Sequence, residues 1–363
     1  MRSIIRSVFL ILFMFNYSFA TKTDDIKQEL ELAKKLYKEN KIELAIAKFE
    51  KILIKQPNNK TANYYVGKFY LDISPKIAMF YLKKVDSNVT LYNIKTIFGS
   101  SYTNNLNNDN SKVDAFTIYE FIKINYPTQI KNKKINNEII AYNKNPINHN
   151  DKNAQLFSYK PSIKQKNNTY NLRYEYIRYE NKNYLTKTGA GIKHQFNINQ
   201  DLTSSVKLGV DYVDYLNKED SSNDYMNYQI DIDTSYNLND YFNLYPKIRG
   251  IITQNTNDKN ADEYAECLAN LGIDYNFKTY KFYISGGYFD RKYFNTNQSF
   301  NKKQHDKQEK YQFIIEKKLD SFQHHLKLQA KIEHIKNKSN ITLYSYEKTT
   351  FYLNLLKNSK GIK

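Results

Sequence analysis

The side chains best placed to do chemistry are the histidines and the carboxylates of the carboxy-terminal half. His324, His325 and His334 come nearest to a metal-ligand set, because imidazoles that converge on one point bind zinc or a related ion. In an extended chain successive side chains point to opposite faces, so His325 turns away from His324 and His334. Those two stand ten positions apart, too far to share an ion. Asp211, Asp231, Asp233, Asp274 and Glu333 fall on the polar side of alternating segments, where they suit a hydrated interior better than an acid–base pair. Cys267 is the one cysteine, which excludes an internal disulfide, and its neighbours at every second position are apolar. The chain contains no glycine-rich phosphate loop, no G-x-S-x-G elbow and no H-E-x-x-H. No metal and no cofactor is expected, and the chain is not read as an enzyme.

The elements that carry these residues follow from periodicity. From Thr169 onward the apolar residues recur every second position, the mark of strands with one apolar and one polar face. In Tyr225 to Leu238, Met226, Tyr228, Ile230, Ile232, Tyr236 and Leu238 alternate with polar residues. In Ala265 to Phe277 the odd-numbered positions are all apolar. Strands are expected near 169 to 180, 184 to 196, 202 to 216, 224 to 238, 241 to 254, 263 to 277, 280 to 294, 308 to 319, 322 to 336 and 344 to 356. Ten is an even number, which returns both ends of a barrel to one side. Short turns at 197 to 201, 239 to 240, 278 to 279 and 320 to 321 alternate with longer connections at 217 to 223, 255 to 262, 295 to 307 and 337 to 343. Such asymmetry places the short turns and both ends in the periplasm. Ten residues between His324 and His334, tilted by about 40°, rise roughly 25 Å, the height of an outer-membrane apolar belt. Most of the 34 tyrosines follow residue 158, and tyrosine suits a membrane interface.

The amino-terminal part has a different rhythm. Arg2 and Arg6, the apolar run from Ser7 to Phe15 and the ending Ser18-Phe19-Ala20 read as a signal peptide cleaved after Ala20. No later apolar run is long enough for a spanning helix, so any further membrane segment must be a closed barrel. The formal charge of +18 would suit nucleic acid, but a signal peptide excludes that partner. Residues 21–127 read as tetratricopeptide-type repeats. Leu32, Ala33, Ala45, Phe49 and Pro57 fill the pattern's positions in one unit, and Val66, Gly67, Tyr70, Ala78, Tyr81 and Leu82 form a second. Ala115, Tyr119 and Pro127 repeat the offsets of Ala45, Phe49 and Pro57 in a looser third unit. A stack of this kind presents a concave groove, which Lys34, Tyr37, Tyr64 and Lys68 would line as a client-binding surface. Residues 128–168, rich in Asn and Lys with Pro146 and Pro161, read as a linker to the barrel of 169–363.

The expected fold is therefore an α + β multidomain chain, an amino-terminal α-solenoid followed by an antiparallel transmembrane β-barrel of about ten strands. Signal peptide, repeats and barrel in this order resemble the surface lipoprotein assembly modifier (Slam) family. The stretch Ser339-Asn340-Ile341-Thr342-Leu343-Tyr344-Ser345-Tyr346-Glu347-Lys348 is similar to that family's carboxy-terminal segment. The resemblance implies an outer-membrane translocator whose repeats bind a client lipoprotein or secreted protein and whose barrel provides the route across. It also implies contact with outer-membrane lipid and insertion by the barrel assembly machinery. Family barrels have around fourteen strands, against the ten counted here. The chain ends Leu355-Leu356-Lys357-Asn358-Ser359-Lys360-Gly361-Ile362-Lys363 and not on an aromatic residue, which leaves two readings open, an insertion signal ending near Leu355 or a truncated, degenerate relative of the family. The alternatives are a small pore or export channel, and a structural or adhesive barrel.

Overall fold

Helical periodicity is borne out between residues 25 and 85. The computed structural model describes residues 25–108, 113–147, 149, 152–216, 224–256, 263–297, 299–319 and 326–362. The signal peptide, the connection at 217–223, the turn at 320–321, and His324 and His325 lie outside them. Helix α1 covers residues 25–38, α2 Ile42–Lys55, α3 Lys60–Ile73 and α4 Pro75–Val85. Asn40, with φ of 62°, supplies the left-handed residue that turns α1 into α2. The Asn59 side chain caps α3 by accepting from the Ala62 N–H at 3.0 Å, and Pro75 opens α4, where its missing N–H costs no helical bond. Ala33, Ala45, Phe49 and Val66 are fully buried in one cluster, with the Phe49 ring stacked on Tyr65 at 4.6 Å. Gly67 permits the close approach of α4, since a Cβ there would stand 2.6 Å from Leu82 Cγ. Lys55 donates a hydrogen bond to Glu29 and holds that carboxyl below its ordinary range, but the pair is exposed and adds little stability.

The expected solenoid is corrected at this point: the helical unit is two hairpins, not a stack of three repeats. Among the described residues, those from 25 to Leu91, with 360–362, form one compact unit, and those between Tyr92 and Ser359 form a second. The second unit is a closed antiparallel barrel of fourteen strands, not ten. Its strands are β1 (Leu91–Thr103), β2 (Ala115–Ile130), β3 (Lys133–Pro146), β4 (Ala154–Gln165), β5 (Asn168–Tyr179), β6 (Lys182–Asn197) and β7 (Leu202–Tyr215). They continue as β8 (Tyr225–Asn237), β9 (Phe242–Asn255), β10 (Tyr264–Phe277), β11 (Tyr280–Asn297), β12 (Lys302–Lys318), β13 (Leu326–Ser339) and β14 (Tyr346–Ile362). Each pairs with its sequence neighbour, and β14 closes on β1.

Strands β5 to β14 match the ten expected segments, and β1 to β4 are the four that were missed. Two physical reasons account for the miss. Positions four apart share a face in a helix and also in a strand, so Ala115 and Tyr119 satisfied a helical offset while both lie on β2. In β3 both faces carry Asn or Lys, so the alternation that marks the later strands is lost, and residues 128–168 looked like a linker. Pro161 strengthened that misreading, yet it lies within β4. Its missing N–H falls where the β4–β5 ladder skips from Tyr159–Tyr174 to Ser162–Asn171, while its β3 register continues opposite Asn137.

Replacing Phe49 with Ala removes the largest fully buried side chain of the helical unit. The substitution is expected to lower that unit's stability by about 3–5 kcal/mol. Far-UV circular dichroism of the full chain in denaturant should show an earlier helical transition with the strand signal retained.

Candidate functional site

The barrel wall is inverted relative to a water-soluble protein. Leu172, Ile284 and Leu353 are 62%, 56% and 55% exposed on the outer face, whereas Asp231 and Asp274 are 2% and 1% exposed on the inner face. Since apolar side chains normally occupy the interior, this outer surface requires an apolar surrounding. At the rim of the short turns the exterior becomes aromatic: Tyr275 stacks on Phe242 at 4.6 Å and on Phe282 at 6.2 Å, and Tyr280 stacks on Phe282 at 6.2 Å. His334 faces outward at the other end of its apolar face, with its ring nitrogen 3.0 Å from Thr349.

Inside, the carboxylates singled out from the sequence bind the strands to one another. Asp231 on β8 accepts from Arg249 on β9 at 2.5 Å and pairs with Lys207 on β7 at 3.4 Å. Asp274 on β10 pairs with Lys281 on β11 at 2.5 Å and accepts from Asn243 and Tyr245 on β9 at 2.7 and 2.8 Å. Glu333 on β13 pairs with Lys331 at 2.8 Å and with Lys310 on β12 at 3.1 Å. Asp233 pairs with Lys247 at 3.0 Å. Asp211 on β7 reaches across β6 to Arg173 on β5, and Gly189 makes that possible because its missing side chain leaves room for the carboxylate. A comparable crossing lies at the closure, where Tyr119 on β2 passes over Gly99 of β1 to donate to Asn354 on β14.

Basic groups exceed acidic ones on this inner wall. Glu138, Glu175, Glu266 and Glu316 also have basic partners, in Lys123, Arg173, Arg291 and Lys327. By contrast, among the described residues Lys144, Lys160, Lys193 and Lys348 make no ion pair, although register and the cavity linings place all four on the inner face. Two cavities open along the wall. One, of about 330 Å³, is lined by Lys193, Ser205, Asp233, Lys247 and Tyr283 among others. The other, of about 260 Å³, lies beside the β14–β1 closure and is lined by Lys144, Lys331, Lys348, Tyr142 and Tyr352 among others.

Several solved structures resemble this chain at low similarity. Pseudomonas aeruginosa OpdK with vanillate is 9% identical, covers 74% of this chain and 99% of its own, and gives a TM-score of 0.40. Acinetobacter baumannii OccAB3 is 8% identical over 76% of this chain and 100% of its own, at 0.44. Vibrio cholerae OmpT, an outer membrane protein, is 8% identical over 75% and 99%, at 0.45. Likeness at this level carries no functional argument. No family profile matches the chain, and no curated protein does.

The groove residues read from the repeats lie on α1 and α3. Lys34 pairs with Glu31 at 2.8 Å, Tyr37 and Tyr64 both set their rings edge-on to Tyr65 at 4.8 and 5.5 Å, and Lys68 is exposed. Tyr65, which joins the two tyrosines, was not singled out from the sequence. Lys144 was missed because it lay in the supposed linker. The segment from Ser339 to Lys348 builds the β13–β14 connection. There Ser345 Oγ accepts from the Ser339 N–H at 2.9 Å, Asn340 accepts from the His305 N–H at 2.8 Å, and Ile341 is buried. Those residue types are accounted for by the turn they form.

A Cβ at Gly189 would stand 1.9 Å from the Asp211 carboxylate. Gly189→Leu should therefore displace the carboxylate from Arg173, and breaking such a buried pair costs about 3–5 kcal/mol. The expected result is earlier conversion from the compact to the slow-migrating form on semi-denaturing gels as temperature rises, with Gly209→Ala, whose Cβ meets nothing closer than 3.6 Å, unchanged.

Proposed function

We propose that this protein is an outer-membrane pore whose basic lumen favours small anions, and that it carries out no catalytic step. The observation that carries the reading is the combination of an apolar exterior with a charged inner wall most of whose acids are paired and whose lysines are in excess. A closed barrel is the strand architecture that satisfies every ladder group in a bilayer. Fourteen strands stand between eight, where side chains fill the interior, and sixteen to eighteen, where an aqueous channel remains. Unpaired ammonium groups on a low-dielectric wall raise the local concentration of anions and repel cations. The proposed orientation puts the short turns in the periplasm and the longer connections, such as 104–114, outside.

A second reading, transport of a lipoprotein or secreted client, has one observation in its favour. Fourteen strands is the number that the Slam resemblance implies, so the narrow barrel expected from ten strands no longer stands against it. The helical unit of two hairpins would then meet the client through Tyr37 and Tyr64. Photocrosslinking from those two positions in cells should yield one secreted protein repeatedly if this reading holds.

For the pore, the purified full chain in planar bilayers should give unitary current steps. In a potassium chloride gradient the reversal potential should take the sign of chloride preference, and it should shift toward neutrality in Lys160→Gln/Lys193→Gln. Silent bilayers, or a cation preference, would sink the proposal.

A further inference from the structure

The cavity beside the β14–β1 closure is built differently from the rest of the inner wall. Lys144 comes from β3 and Lys348 from β14, with β1 and β2 between them. Both stand near the strand ends that adjoin the 104–114 connection. On the two intervening strands Ser101, Thr103, Thr117 and Tyr119 bring four hydroxyls to the cavity, and the two lysines flank them. Tyr142 and Tyr352 also line it.

Most carboxylates of the wall are neutralised within it, and among the described residues Lys160 and Lys193 share with Lys144 and Lys348 the lack of an ion pair. Lys331, also at this cavity, is committed to Glu333 at 2.8 Å. Among the described residues no carboxylate pairs with Lys144 or Lys348, and the Lys348 ammonium is fixed by donating to Asn108 Oδ1 at 2.8 Å. Among the described residues, these two ammonium groups beside a hydroxyl-lined surface have no counter-charge from a paired carboxylate. A bound anion supplies one, with charge-assisted hydrogen bonds from the lysines and neutral ones from the threonines. A cavity of about 260 Å³ has room for a small hydrated anion.

We propose that Lys144 and Lys348 form an oxyanion subsite in the lumen, which takes small phosphates or short-chain carboxylates ahead of halide. The proposal deepens the pore reading and rests on it for its biological sense, while binding itself needs no conduction.

The test uses the full chain folded in detergent micelles, titrated by calorimetry with inorganic phosphate and, separately, acetate in a zwitterionic sulfonate buffer. Saturable one-site binding is expected for at least one anion, weakened about tenfold or more in Lys144→Gln/Lys348→Gln. Lys60→Gln, exposed on α3 of the helical unit, should bind as the parent does. Semi-denaturing gel mobility shows that each variant is folded, and should the double variant fail that check, the single Lys348→Gln serves in its place. Absence of saturable heat with both anions, or equal binding by the folded lysine variant, would overturn the subsite. Binding without channel currents would leave the subsite and remove the pore, and currents without binding would do the reverse.

Discussion

Everything in the strand unit depends on one pairing, that of β14 with β1. An open sheet of fourteen strands would leave two rows of unpaired backbone groups, and in an apolar surrounding each such group is costly. Closure removes both edges. Side chains reinforce it: Thr350 and Thr103 approach at 3.2 Å, and Asn104 accepts from the Thr349 N–H at 2.8 Å while its own N–H donates to the Thr349 carbonyl. Tyr119 then spans the joint to Asn354, over the space that Gly99 leaves. The first and last strands of the chain are thus tied by backbone and side chain together.

Once the sheet closes, its two faces meet different demands. The exterior must be apolar and the interior must satisfy whatever charge faces it. The inner wall does this by pairing acids with bases on neighbouring strands, as Asp231 does with Lys207 and Arg249. Pairs of this kind are weak evidence of stability, because desolvation offsets much of the attraction. Their geometric effect is firmer, since a carboxylate held by two flanking strands fixes their register. The excess of lysines is then a property of the lumen and not of strand cohesion.

The Ser339 to Lys348 segment illustrates how one stretch can serve both demands. Its first residues are used in the turn that joins β13 to β14, through Ser339, Asn340 and Ser345. Its last residue, Lys348, enters the lumen beside the closure. One local stretch thus supplies both a connection and a charge on the inner wall.

What the sequence by itself determined is the change of period. The four helices, the strands from β5 onward and the inward placing of Asp211, Asp231, Asp233, Asp274 and Glu333 follow from spacings of 3.6 and 2 with clean polar and apolar faces. Where that contrast fades, as in β3 with Asn and Lys on both faces, periodicity no longer separates strand from linker, and spacing by four fits helix and strand alike. The strand count, the closure and the partners of each charge were decided only by the tertiary structure. Lys144 and Lys348 are 204 positions apart in the chain (348 − 144) and line one cavity because the first strand pairs with the last. Hydrogen-bonded closure between distant strands leaves no local pattern, so no reading along the chain could bring those two residues together.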